Sequence, residues 1–281
     1  MTRILTVAKR PLLERLGGLD TARLTRNASI GLDTVRAAAE AHNAVLATIR
    51  SALAGHDIRH RCIDELKPED ADDRDLVVTI GGDGTVFALG SLRATTPTIT
   101  VNSDPSRSVG HSTRCTLGDF PIVFSAFLAG RHRVELIHRL ALSVDGSAPQ
   151  RIINDCLFTS RNPAAVTRYV LSAEGISEAQ ISSGVWVSTA SGSTGAIRSA
   201  GMQPLDRTAN ALLFKVREPF QGLKPFHVLE GRQLPPRDLT LTATMPGIDC
   251  YLDGPYRRVE LAYGAEVRFS DAEAPLPLVI R

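Results

Sequence analysis

An α/β domain followed by a mostly β, sandwich-like domain is the architecture this sequence predicts, and three observations carry it. Strand-like and helix-like patterns alternate over the first hundred residues. Beyond about residue 104 the segments are short, strand-like and mostly bounded by Gly, Pro, Asn or Asp. The length, 281 residues, is enough for two ordinary domains. The expected division is 1–104 and 105–281, with the last residues free to return to the first domain.

Each element has its own warrant. "RILTVA" (3–8) reads as a strand, and the Ala-rich "TVRAAAEAHNAVLATIRSALA" (34–54), with apolar residues at helical spacing, reads as a helix. "LVVTI" (76–80) is a short continuous apolar run, as expected of a strand buried on both faces. "TVFALGSL" (85–92) starts a second helix, and "TPTITVN" (96–102) is a third strand. In the second domain the strand-like segments are 138–146, 151–160, 167–175, 184–190, 237–247, 249–254 and 265–270. Trp186 and Phe214 are expected in the core.

Composition narrows the function classes. With 43% hydrophobic and 22% charged residues and a formal net charge of +2, nothing calls for a nucleic-acid or membrane partner. The acidic run "DELKPEDADDRD" (64–75) reads as a solvated loop. Cys62, Cys115, Cys156 and Cys250 lie far apart, without zinc spacing or a CxxC pair, so buried reduced thiols and no metal site are expected. "MTRILTVAKRPLL" is too short in apolar residues for a signal peptide, and no segment approaches a membrane span, which together imply a cytoplasmic protein unless an import signal has been cut away.

The chemistry is concentrated in "LVVTIGGDGTVFALGS" (76–91). A glycine turn from a strand into a helix is an anion site, because free N–H groups and the helix dipole converge there. Neither the Walker A string nor the dinucleotide fingerprint GxGxxG is present, since "GDGTVF" ends in Phe87. A carboxylate, Asp83, stands among the glycines. That suits a kinase acting on an alcohol: Gly81, Gly82 and Gly84 hold phosphates while Asp83 takes the attacking hydroxyl's proton. The alternative at this point is that Asp83 caps the helix beginning near Thr85.

"GGDGT" resembles the signature shared by NAD kinases, diacylglycerol and sphingosine lipid kinases, and phosphofructokinases. Further along, "TVNSDPSRSVGHSTR" (100–114) resembles a segment of the plant NADH-kinase and mitochondrial NAD-kinase branch. "IIND" (152–155), "SSGVWVSTASGSTGAIRSAG" (182–201) and "YLDG" (251–254) resemble further NAD kinase motifs, in family order. The lipid-kinase string "GTGND" is missing. The resemblance implies an NAD kinase/diacylglycerol kinase-like fold. It implies transfer of a phosphoryl group from ATP or another donor to the adenosine 2′-hydroxyl of NAD or NADH, with Mg²⁺ bridging the donor phosphates. A homodimer or homotetramer is implied by resemblance alone.

Site residues follow from the same resemblance. Asp83 is the proton acceptor, and Asn154 and Asp155 hold the dinucleotide. Further ligand contacts are implied for Gly81, Gly82, Gly84, Thr85, Thr189, Gly192, Ser193, Thr194 and Ser199, and Arg107 offers a fork of donors to a phosphate, the alternative being a surface loop with an Asp-Pro turn. Asp104 and His111 lie in the loop after the third strand, and Asp253 with Gly254 reads as a turn. Ser183 and Ala196 stand where the common bacterial pattern has Asp and Tyr, which leaves contacts to the nicotinamide half open. The rival functions are a lipid kinase and a non-catalytic dinucleotide-binding regulator.

Overall fold

The computed structural model describes residues 1–11, 14, 31–220, 222 and 225–281. In chain order the strands are β1 (Arg3–Ala8), β2 (Asp57–Cys62), β3 (Leu76–Gly81), β4 (Thr98–Asn102), β5 (Arg133–Ile137), β6 (Leu140–Val144), β7 (Gln150–Ile152), β8 (Asp155–Ser160) and β9 (Thr167–Ala173). They continue as β10 (Ile176–Ser182), β11 (Val185–Thr189), β12 (Leu212–Val216), β13 (Glu230–Gln233), β14 (Thr240–Ala243), β15 (Ile248–Leu252), β16 (Arg257–Leu261), β17 (Glu266–Asp271) and β18 (Leu276–Ile280). The described α-helices are α1 (Leu32–Ala52), α2 (Asp83–Phe87), α3 (Phe120–Leu128) and α4 (Ala196–Ser199). The chain forms two compact units, an α/β unit and a β-rich unit.

The first unit comprises Met1–Ala88, Leu92–Glu135 and Pro277–Arg281. Its sheet has the order β2-β1-β3-β4-β18-β5, and β1 runs parallel to β2 and β3, as β4 does to β3 and β18. All six residues of β3 are buried, as its unbroken apolar run demands. On α1, Val35, His42 and Ile49 are spaced by seven and all buried, so one stripe faces inward. Ile49 and Leu53 join Ile4, Leu76, Val78, Ile80, Ile99 and Phe120 in one core cluster. The chain leaves β1 toward β2 and leaves β3 toward β4. That makes the carboxyl end of β1 and β3 the topological switch point, where open α/β sheets bind ligands.

Two features in the first hundred residues differ from the sequence reading. The helix begun by the glycine loop is α only over Asp83–Phe87 and continues as a 3-10 turn over Ala88–Ser91. The acidic run is more than a solvated loop. Asp70 is buried, accepts from the Lys67 amide at 2.8 Å and pairs with Arg61 at 3.0 Å, while Asp73 and Asp75 pair with Arg74 and Arg3. So many carboxylates in one short run are tolerable because the neighbouring strands present arginines.

The second unit comprises Leu89–Ser91 and Leu136–Leu276. Two six-stranded sheets have the orders β10-β9-β14-β17-β6-β7 and β13-β12-β11-β8-β15-β16, joined by antiparallel ladders. One apolar cluster draws on both sheets: Leu142, Tyr169, Leu241 and Phe269 from one, Phe158, Val187, Phe214 and Cys250 from the other. This is sandwich packing, with period-2 strands turning one face inward. Phe214 lies in the core as expected. Trp186 does not. On β11 the inward positions are Val185 and Val187, so Trp186 turns to the opposite face, where it is only partly buried.

Candidate active site

In the first unit, β3 delivers the glycine loop to the switch point. Gly81 must be glycine, since a Cβ there would meet Thr85 Oγ1 at 2.1 Å. The N-cap of α2 is Gly82, with no side-chain capping bond, so Asp83 does not cap the helix it opens. Its carboxylate reaches across to the loop after β4 instead. The His111 amide donates to Oδ2 at 3.0 Å and the Ser112 amide to Oδ1 at 2.7 Å. Each carboxylate oxygen has two lone-pair sites, so one main-chain donor apiece leaves an acceptor position on each.

The same loop is organised by its own residues. The Asp104 amide donates to Asn102 Oδ1 at 3.0 Å, and Ser103 Oγ lies 2.9 Å from Nδ1 of the buried His42. The Ser106 hydroxyl at 2.6 Å and the Arg107 guanidinium at 2.9 Å hold Asp104 below the usual carboxylate range. Arg107, expected to meet phosphate, thus has one guanidinium nitrogen engaged by Asp104 while its side chain stays exposed. His111 contributes its main chain to Asp83. Thr85 is buried beneath Gly81, whereas Gly84 is exposed and has no atom within 4 Å of where a Cβ would stand.

In the second unit, Asn154 and Asp155 are both buried at the start of β8. Burial pushes the Asp155 carboxyl up to about 6. Thr189 Oγ1 donates to Ile153 O at 2.7 Å and accepts from the Gly192 amide at 3.0 Å. Ser188 Oγ donates to Asn154 O at 3.1 Å. Gly192 packs so tightly on this peptide that a Cβ would lie 2.1 Å from Asn154 O. A Cβ at Gly195 would stand 3.9 Å from Asp155 Oδ2 and 4.0 Å from Asn154 Nδ2, so the second glycine loop borders both side chains.

The hydroxyls of that loop divide into two groups. Thr189 and Ser193 are buried, and Ser193 Oγ accepts from the Leu205 amide at 2.9 Å. Both hydroxyls have partners within the protein that hold the loop. Thr194 is half-buried and Ser199 is exposed. Beside Asp155 opens a cavity of about 740 Å³, within the range of small-molecule sites. Its floor is the outer face of the sheet, where Trp186, Leu157 and Tyr251 stand in register on β11, β8 and β15. The Arg217 guanidinium lies 5.8 Å from the Trp186 ring centre, and Ser183 also lines the space.

No family model matches the chain. Among curated proteins it is 33% identical over 170 residues to a rice protein named "Probable NADH kinase", a match covering 52% of each chain. It is 28% identical over 228 residues to an Arabidopsis thaliana NADH kinase, covering 73% of this chain and 72% of that one. An NAD kinase of the archaeon Methanoculleus marisnigri is 29% identical over 177 residues, covering 62% of this chain and 63% of its own. The rice match thus spans about half of that relative's length. Two solved structures share the fold. The NAD kinase of Archaeoglobus fulgidus, solved with ATP, gives a TM-score of 0.65 at 19% identity over 98% of this chain and 92% of its own. The yeast NADH kinase, solved with NADH, gives 0.69 at 16% identity over 100% of this chain and 84% of its own. The chain is thus similar in sequence to NAD and NADH kinases and shares its fold with two of them.

Some of this geometry had no signal in sequence. That His111 and Ser112 would offer main-chain donors to Asp83 rests on a turn 28 residues downstream. Trp186 and Arg217 come from different parts of the chain onto one sheet face. Asp253, legible only as a turn, lies buried with a left-handed φ of 52° and binds the amides of Ile153 and Asn154.

Proposed function

We propose that the chain is an NAD(H) kinase, moving a phosphoryl group from ATP or another donor to the adenosine 2′-hydroxyl of NAD or NADH. One observation carries this: a carboxylate fixed by two main-chain N–H groups, among glycines, at the carboxyl end of β3. In the reaction, the 2′-oxygen forms a bond to the transferred phosphorus as the bond from phosphorus to the donor's bridging oxygen breaks. The hydroxyl proton passes to Asp83, which has an acceptor position left for it. The exposed Gly84 and the amides opening α2 suit the close approach of phosphate. The relatives' names and the ATP and NADH in two structures of this fold support the same assignment.

The second unit supplies recognition in this reading. Asn154 offers a donor and an acceptor to an adenine edge, and Asp155 accepts from ribose hydroxyls or the adenine amine. Thr194 and Ser199 remain as contacts, while Thr189, Gly192 and Ser193 act by shaping the loop. Arg107 has donors left for a phosphate.

Among the described residues, no group of three or more His, Cys, Asp or Glu could hold a metal ion. In this reading Mg²⁺ enters as a companion of the donor's phosphates, the usual arrangement for this cation. No described helix is long and apolar enough to cross a membrane, and the four cysteines are free. A cytoplasmic setting and a homodimer or homotetramer complete the proposal, the latter to be weighed by light scattering.

The test is a coupled assay of NADP(H) formation with Mg²⁺ and ATP, run on NAD and NADH, with Asp83→Asn as control. Turnover that collapses in the variant while dinucleotide binding persists is the expected result. Binding without turnover on any nucleoside triphosphate or polyphosphate would overturn it in favour of a regulator.

A further inference from the structure

Asp253 lies 99 residues from Asn154 in sequence, yet its carboxylate is closely bound to the peptides around the dinucleotide residues. Oδ1 accepts from the Asn154 amide at 2.7 Å and from the Ile153 amide at 3.1 Å. Oδ2 accepts from Arg257 Nη1 at 2.9 Å, and Arg257 Nη2 donates to Arg151 O at 2.9 Å. The Asp253 amide in turn donates to Asp155 O at 2.8 Å. The side chain is 1% exposed, so no ligand touches it.

Burial pushes this carboxyl up to about 7, against the pull of Arg257 and the Asn154 amide. Three donors meet its oxygens, so the geometry belongs to the ionised form. The turn Leu89–Ser91, which follows α2 and belongs to the second unit, presses on the same group. A Cβ on Gly90 would lie 2.2 Å from Asp253 Oδ2. The turn's closeness leaves no room for a side chain there.

We infer that Asp253, with Arg257 as its counter-ion, is the positioning residue for dinucleotide recognition, fixing the peptides from which the Asn154 and Asp155 side chains project. The inference rests on the proposed function. The carboxylate takes up two N–H groups that would otherwise lack partners at the mouth of β8, and so sets the direction of both side chains. Gly90 is required because any larger residue would drive the carboxylate off its donors. The chain itself then ties the turn after the Asp83 helix to the residues that hold the dinucleotide.

Three variants converge on one group: Asp253→Asn, Arg257→Gln and Gly90→Ala. Each is to be compared with the wild type for NAD and NADH binding by calorimetry, for KM toward dinucleotide and toward ATP, and for exchange of the Ile153 and Asn154 amides. Misplacing a recognition pair by an ångström costs on the order of 10- to 100-fold. The expected result is that scale of loss in dinucleotide affinity and KM, faster exchange at the two amides, and an ATP KM within about twofold of wild type. Arg257→Gln, at a partly exposed position, keeps the test open should Asp253→Asn fail to fold. Dinucleotide affinity unchanged in Arg257→Gln and Gly90→Ala while the amides exchange freely would overturn the inference and leave the kinase reading intact. So would equal losses for ATP and dinucleotide, the mark of a merely structural role. A wild type that binds neither NAD nor NADH would instead overturn the proposed function, and this inference with it.

Discussion

Acid is the perturbation that interrogates Asp155 most directly. Its carboxyl is buried and desolvation draws its pKa from 3.8 up to about 6. If the ionised form accepts hydrogen bonds from the dinucleotide, only that form binds. Apparent affinity for NAD should then fall about twofold at pH 6 and about tenfold at pH 5, relative to pH 8. Stability moves the opposite way. A carboxyl whose folded pKa is raised contributes stability that is full below about 3.8 and lost as pH rises through about 6. The whole span is about 3 kcal/mol as an order of magnitude. Asp253 is close enough to couple to it, so measured values belong to the pair. Calorimetric titration of NAD at four pH values, with Asp155→Asn alongside, separates the effects. The variant should bind weakly and nearly independently of pH, and its melting temperature should gain on the wild type's between about pH 3.8 and 6. Wild-type affinity that stays flat to pH 5, or an equal fall in Asp155→Asn, would refute the reasoning.

Other perturbations have smaller but definite readouts. Gly192→Ala puts a methyl 2.1 Å from Asn154 O, a backbone atom that cannot step aside, so a loss of about 1–3 kcal/mol in denaturant unfolding is expected together with weaker NAD binding. Ser193→Ala leaves the Leu205 amide without its acceptor and should cost about 1–3 kcal/mol in the same measurement, with KM for NAD little changed. Arg161→Met removes the bidentate partner of the fully buried Asp249. Because Arg161 is half exposed and Arg258 lies 3.6 Å from the same carboxylate, its loss in thermal unfolding should be smaller than that of Ser193→Ala.

What could be read in advance was what neighbouring residues encode. β1, β3, α1 and the strands of Phe158, Val187 and Cys250 announce themselves by apolar period, because each presents a complete face to a core. β2 escapes that reading: "DIRHRC" has one strong apolar residue, and as an edge strand it needs only one neighbour's ladder. Its arginines instead meet the acidic run, which is why that run is held by ion pairs rather than merely solvated.

The site divides along the same line. "GGDGT" is legible because strand, turn and helix are consecutive, and Asp83 falls at the one place where a carboxylate is unexpected. The second glycine loop is legible as a candidate ligand loop but not hydroxyl by hydroxyl, since a loop that wraps a buried peptide must satisfy that peptide first. Thr189 and Ser193 are consumed in holding the loop, and Ser188 with them. In the proposed reading the half-buried Thr194 and the exposed Ser199 remain for a ligand. Substituting these two should therefore move KM and leave the unfolding curve in place, the converse of what Ser193→Ala should do.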